Sequence, residues 1–147
     1  MQMVVLLVGV TALVSGCVLI ERFPGGGSLA EEDGNLVFAI CQAIDADEVS
    51  FALRDLAKEN RWVNFWEFEN GGHFAEGTVL STDPAITPPY PGERRSDVHP
   101  QPGTEIVVDV RSNDGTRVSP GFVVPAGGFI DGKWLQSDGT WSTDACP

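Results

Sequence analysis

Histidine occurs twice in this chain and cysteine three times, and basic residues are outnumbered by acidic ones, nine to twenty-one. Each scarcity removes a class of chemistry. His73 and His99 stand 26 residues apart, in "NGGHFAEG" and "DVHPQPG", and both stretches read as solvated loops. Zinc favours Cys and His ligands at close spacing, which this pair does not supply. A hydrolytic nucleophile needs a base beside it and a third group to orient the base. No serine sits in G-x-S-x-G or a comparable elbow. No phosphate-binding glycine loop occurs either: "PGGGS" (24–28) lacks a strand before it and a helix after it. The acidic "DADE" (45–48) offers Asp45, Asp47 and Glu48 to calcium, but Val49 and Ser50 break the loop pattern, leaving a solvated turn or a helix cap. With twenty-one acids, some carboxylate pair meets any glycosidase spacing, so that pattern carries no weight. No catalytic residue, metal or cofactor is expected. The net charge of −12 repels phosphates and anionic headgroups, which excludes nucleic acid as a partner.

Charge is also missing locally. From Met3 to Ile20 the chain has none. Met3 to Val14 has the length of a secretory apolar segment, and Ser15 and Gly16 are small enough to pass a signal peptidase. Cys17 follows directly. "VSGC" (14–17) in this setting resembles the lipobox of bacterial lipoproteins. The resemblance implies a signal peptide over 1–16, a diacylglyceryl group on the Cys17 sulfur and a cut before that residue. The n-region, "MQ", departs from the family in having no Lys or Arg. "VLI" extends the apolar run to 18 residues, the lower limit for a retained membrane helix. A lipoprotein, a retained helix and a plain cleaved signal all place residues 30–147 outside the cytoplasm. The lipobox favours the first, and with it a cell-membrane location on the extracytoplasmic face. If Cys17 carries lipid, Cys41 and Cys146 remain as one pair. An oxidising compartment permits a disulfide between them; two buried free thiols are the alternative.

Glycine and proline are plentiful instead, seventeen and ten, and they punctuate the rest. "ERFPGGGSLAEEDGN" (21–35) reads as acidic and flexible, so 17–34 is expected to be a tether and 35–147 the folded domain. In "NLVFAICQAI" (35–44), Leu36, Phe38 and Ile40 alternate with Val37, Ala39 and Cys41, as in a strand buried on both faces. Residues 45–62 fit two patterns. A helix would have Asp45 and Glu48 as a capping box; a strand would alternate Val49, Phe51 and Leu53 and turn at "LAKEN" into "RWVNFWEFE" (61–69). The β-like surroundings favour the hairpin. "GTVLST" (77–82) and "TEIVVDVRS" (104–112) read as strands. Residues 83–103 hold six prolines and read as a surface loop or edge crossover. Asn113-Asp114-Gly115 marks a hairpin, and Asp131-Gly132 and Asp138-Gly139 mark further turns. The expectation is an all-β, antiparallel β-sandwich of about seven strands, preceded by an N-terminal signal or anchor helix. "LVFAIC", the Trp-bearing strand, "GTVLST" and the terminal "ACP" together resemble small uncharacterised lipoproteins of high-GC Gram-positive bacteria. That resemblance implies an immunoglobulin-like sandwich with its first and last strands joined by Cys41–Cys146.

One stretch offers a candidate ligand face. In "RWVNFWEFE" a regular strand puts Trp62, Asn64, Trp66 and Phe68 on one side and Val63, Phe65, Glu67 and Glu69 on the other. A sandwich strand has one core face. Trp62, Asn64 and Trp66 therefore either pack inward or stack on sugar rings or a partner's apolar surface. Two functions follow: a non-enzymatic lipoprotein that binds a protein or glycan at the membrane surface, or a small extracytoplasmic hydrolase or its accessory subunit. The second requires a pocket gathering His73 or His99 with carboxylates.

Overall fold

The computed structural model describes residues 26–55, 61–68, 71–86 and 92–147. The expected signal peptide or anchor helix (1–16) and Cys17 lie outside them. Every element among the described residues is a strand. In chain order they are β1 (Gly27–Glu32), β2 (Asn35–Ile40), β3 (Ile44–Ala46), β4 (Glu48–Asp55), β5 (Arg61–Phe68), β6 (Gly72–Phe74) and β7 (Thr78–Ser81). They continue as β8 (Gly92–Arg94), β9 (Glu105–Arg111), β10 (Arg117–Val118), β11 (Gly121–Val123), β12 (Trp134–Gln136) and β13 (Trp141–Ser142). One sheet has the order β13-β12-β1-β2-β7. A second has the order β10-β9-β4-β5-β8, with β11 also on β9, and β3 and β6 form a separate ribbon. The pairings are antiparallel.

The expected tether is corrected at its C-terminal end. Gly27–Glu32 is β1, hydrogen-bonded to β2 on one side and β12 on the other. The two-residue turn Asp33-Gly34 makes this possible. Both residues have positive φ, 49° and 79°, which gives a hairpin turn the twist its strands require. Leu29, fully buried, opposes Phe38 and Leu135. Gly27 has a packing role rather than a flexible one: a Cβ there would overlap the Phe38 ring. The ambiguity over 45–62 is resolved for Glu48–Asp55, which is strand β4 paired along its length with β5. Val49, Phe51 and Leu53 all point into the core.

Phe38 on β2 joins the sheets. Its ring meets Phe51 of β4 at 6.2 Å and Phe122 of β11 at 6.3 Å, both edge-on. Phe51 also meets Phe65 and Phe68. Leu36, Ile40, Leu80, Leu135, Ile106, Val108 and Val110 complete one continuous apolar cluster. The Cys41–Cys146 disulfide, with Cα atoms 5.2 Å apart, ties the end of β2 to the chain's end. Beside it the buried Ser28 hydroxyl donates to the Ala145 carbonyl at 2.6 Å. Replacing both cysteines by serine is expected to lower stability by about 2–5 kcal/mol, because the bond closes a loop of about a hundred residues in the unfolded chain. Urea unfolding of the double variant measures this, and an unchanged midpoint would refute it.

β5 departs from the expected alternation. Phe51 opposes Trp66, but the next residue, Ala52, opposes Asn64. Phe65 is the extra residue of a β-bulge. Before the bulge Trp62 and Asn64 face solvent; after it Trp66 and Phe68 face the core, with Phe65 buried beside them. The single face expected for Trp62, Asn64 and Trp66 is thus corrected: the bulge turns the strand's register over between Asn64 and Trp66. Trp66 is 2% exposed, pressed by Gly92 and covered by the Arg94 guanidinium, 5.8 Å from the ring centre. Trp66→Ala is expected to cost about 3–5 kcal/mol. Trp62→Ala should cost less than about 1 kcal/mol, the scale of its exposed contact with Arg54. Denaturant midpoints of the two variants test the split; equal losses would contradict the bulge.

Candidate ligand-binding face

The outward side of the second sheet is polar and dished. Its positions follow from register: Ser50 opposes Asp109, Ala52 opposes Val107 and Asn64, Arg54 opposes Trp62, and Arg117 opposes Arg111. These residues, with Ser119, line a depression of about 280 Å³, except Arg54, which sits behind the Trp62 ring at 5.5 Å from its centre. Ala52 and Val107 supply the apolar surface.

The turn after β9 brings the cations together. Ser112 N–H donates to the Thr116 carbonyl, Thr116 N–H donates to the Asp114 carboxylate, and Gly115 has φ 89°. The chain returns with Arg117 across from Arg111. Pro120 interrupts the ladder because it has no N–H to give. Its carbonyl accepts from Val108, and the register either side of it leaves Ser119 across from Asp109.

Asp109 is the anchor of the face. Its side chain is 6% exposed, yet it points away from the apolar core. One oxygen accepts from Arg117 Nε at 2.6 Å and from the Ser119 hydroxyl at 2.6 Å. The other accepts from Arg111 Nε at 2.6 Å and an Arg117 terminal nitrogen at 2.9 Å. Burial alone would raise this carboxyl. The bonds from Arg117, Ser119 and Arg111 outweigh it and hold the group below its ordinary value. The same carboxylate, with Glu48 and Glu67 nearby, raises Arg111. Both arginines remain about half exposed. The terminal nitrogens of Arg111 have no hydrogen-bond partner among the described residues. The lining therefore carries two guanidinium groups and one acid whose oxygens are occupied: a donor-rich floor on a chain of charge −12.

The other candidates are dispersed. Trp62 (41% exposed) and Asn64 belong to this depression, whereas Trp66 lies in the core. Cys41 and Cys146 are bonded to each other. His99 is exposed in the segment before β9. His73 on β6 shares a hydrogen bond with Asp45 on β3, 2.8 Å, with both side chains well exposed. They border an open depression with Asp47, Ser112 and Asp114, but among the described residues His73 bonds to no hydroxyl. No group of three His, Cys, Asp or Glu among the described residues is placed to hold a metal. Pattern alone does not single out Asp109, Arg111 and Arg117. Their signal was present in "EIVVDVR", where Glu105, Val107, Asp109 and Arg111 alternate with three apolar residues.

Comparison with protein-family models, with curated proteins and with solved structures finds no match.

Because Asp109 has a folded value below its unfolded one, its contribution is fully present above an unfolded carboxylate pKa of about 3.9 and is lost as pH falls through the folded value. Asp109→Asn should therefore be less stable than the wild type at neutral pH by about 1.5–3 kcal/mol, the scale of charge-assisted bonds. The gap should narrow as pH falls below about 3.9. Urea midpoints across that range measure it, and a pH-independent gap would contradict the assignment.

Proposed function

We propose that this chain is a lipid-anchored lipoprotein of the extracytoplasmic membrane face, that its domain is an immunoglobulin-like β-sandwich, and that it binds a ligand without catalysing a reaction. The observation that carries the binding reading is the depression around Trp62, Asn64 and the Asp109-locked arginines: a solvent-facing sheet surface on which a carboxylate is buried to hold two guanidinium groups in place. Exposed sheet residues kept only for solubility need no such lock. The sandwich reading draws support from two antiparallel sheets whose apolar faces meet at Phe38. The location draws support from the Cys41–Cys146 disulfide, a bond of oxidising compartments. The anchor rests on "VSGC" (14–17) after an uncharged run.

The hydrolase reading draws on the Asp45–His73 bond. It has less behind it: the pair is open to solvent, and among the described residues the base has no nucleophile in reach of a hydrogen bond.

In cells expressing the full chain, Cys17→Ala is expected to abolish incorporation of radiolabelled palmitate and to leave the precursor unprocessed. Labelling that survives the substitution would overturn the anchor.

A further inference from the structure

The depression's chemistry narrows its ligand. Asp109 has both oxygens occupied by four donors, so it offers no acceptor inward. What the lining presents to a guest is guanidinium N–H, the Asn64 amide and the Ser50 hydroxyl, beside the indole of Trp62 and the methyls of Ala52 and Val107. Guanidinium forks pair with carboxylates in a plane and with two bonds. Arg111 is tethered through Nε alone, which leaves its terminal pair aimed by Asp109 but unengaged. A bare inorganic anion would leave the indole and the methyl groups without a partner. A neutral apolar guest would leave the terminal nitrogens of Arg111 unmatched. A volume of about 280 Å³ is at the small end of ligand sites, the size of a single ring rather than an extended chain.

Resting on the reading of this face as a binding surface, we propose that the depression takes a carboxylate borne on a sugar ring, with the carboxylate on Arg111 and Arg117, the ring against Trp62 and its hydroxyls within reach of Asn64 and Ser50. Such a group occurs as a free acidic monosaccharide or as one residue of an acidic glycan. Guanidinium donors confined to this lining, on a chain of charge −12, mean that recognition is local. The acidic remainder repels a long polyanion, so a free sugar or a chain terminus fits better than the interior of a polyuronate.

The test uses the full-length chain in detergent micelles, titrated calorimetrically and by the indole N–H resonances. The probes are glucuronic acid, a short glucuronate oligomer, the methyl ester of glucuronic acid, glucose and glutarate. Glucuronic acid should bind and shift the Trp62 resonance, and the ester, glucose and glutarate should each bind at least tenfold more weakly. Trp62→Ala and Arg111→Gln should each weaken glucuronic acid at least tenfold while thermal midpoints stay within a few degrees. The ester removes the charge from the ligand's side, so the arginine contact is tested even if Arg111→Gln fails to fold. Equal binding of monomer and oligomer supports a ring bound at a chain end or free; oligomer binding alone assigns the glycan source. Ester or glucose binding as tight as the acid overturns the carboxylate assignment while leaving a binding face. Glutarate binding as tight overturns the ring. No binding by any probe, with palmitate labelling intact, overturns the ligand class and leaves the anchor standing.

Discussion

Phe65 has no partner of its own in the β4–β5 ladder, and the two sides of the second sheet depend on that mismatch. Without the extra residue, Trp62, Asn64, Trp66 and Phe68 would share a face, and the chain would either bury an asparagine or expose a large indole. The bulge separates them. The C-terminal half of β5 gives Phe65, Trp66 and Phe68 to the ring cluster around Phe51. The N-terminal half gives Trp62 and Asn64 to solvent. Bulges increase local twist and re-aim side chains. Here the re-aiming furnishes one wall of the depression and, three residues on, part of the core.

The opposite wall depends on electrostatics. A carboxylate left unpaired at such burial would be costly, and two guanidiniums packed side by side would repel each other. Asp109 between Arg111 and Arg117 resolves both problems, and Ser119 completes its coordination. The arrangement also fixes rotamers on two long side chains that would otherwise sample many. Fixing them in advance lowers the entropy lost when a guest is held, which is what preorganisation contributes to affinity. Exposed pairs elsewhere, such as Arg95 with Glu93, have no comparable burial and contribute little.

Much of the architecture was legible because one period governed it. Leu36, Phe38 and Ile40, or Val49, Phe51 and Leu53, announce their strands by alternation, and Asn113-Asp114-Gly115 announces its turn. Legibility failed where a local rule was overridden. "RWVNFWEF" alternates too well: large residues at nearly every position are compatible with either register, and nothing in the residue types at Phe65 marks a bulge. β1 was hidden by composition, since glycines and acids read as tether although Asp33-Gly34 carried a hairpin signal. Asp109 was visible as a lone acid on a strand otherwise apolar at its centre, but its meaning required knowing that Arg117 and Ser119 return opposite it. Spatial return across a turn is what a linear pattern does not contain.

The position of β1 also sets how the molecule bears load. Gly27 comes ten residues after Cys17, and ten residues fully extended reach at most about 35 Å. A lipid at Cys17 would therefore hold the domain on a short leash, and any pull on that leash would enter through β1. That strand is flanked by β2 and β12 rather than lying at an edge. Tension along it strains the six β1–β2 pairs together, in shear, instead of peeling them one at a time. At the loaded end Cys41 N–H donates to the Gly26 carbonyl, and Cys41 is itself bonded to Cys146. The disulfide thus braces the end of the first sheet at which β1 begins, and the dished face lies apart from it on the other sheet.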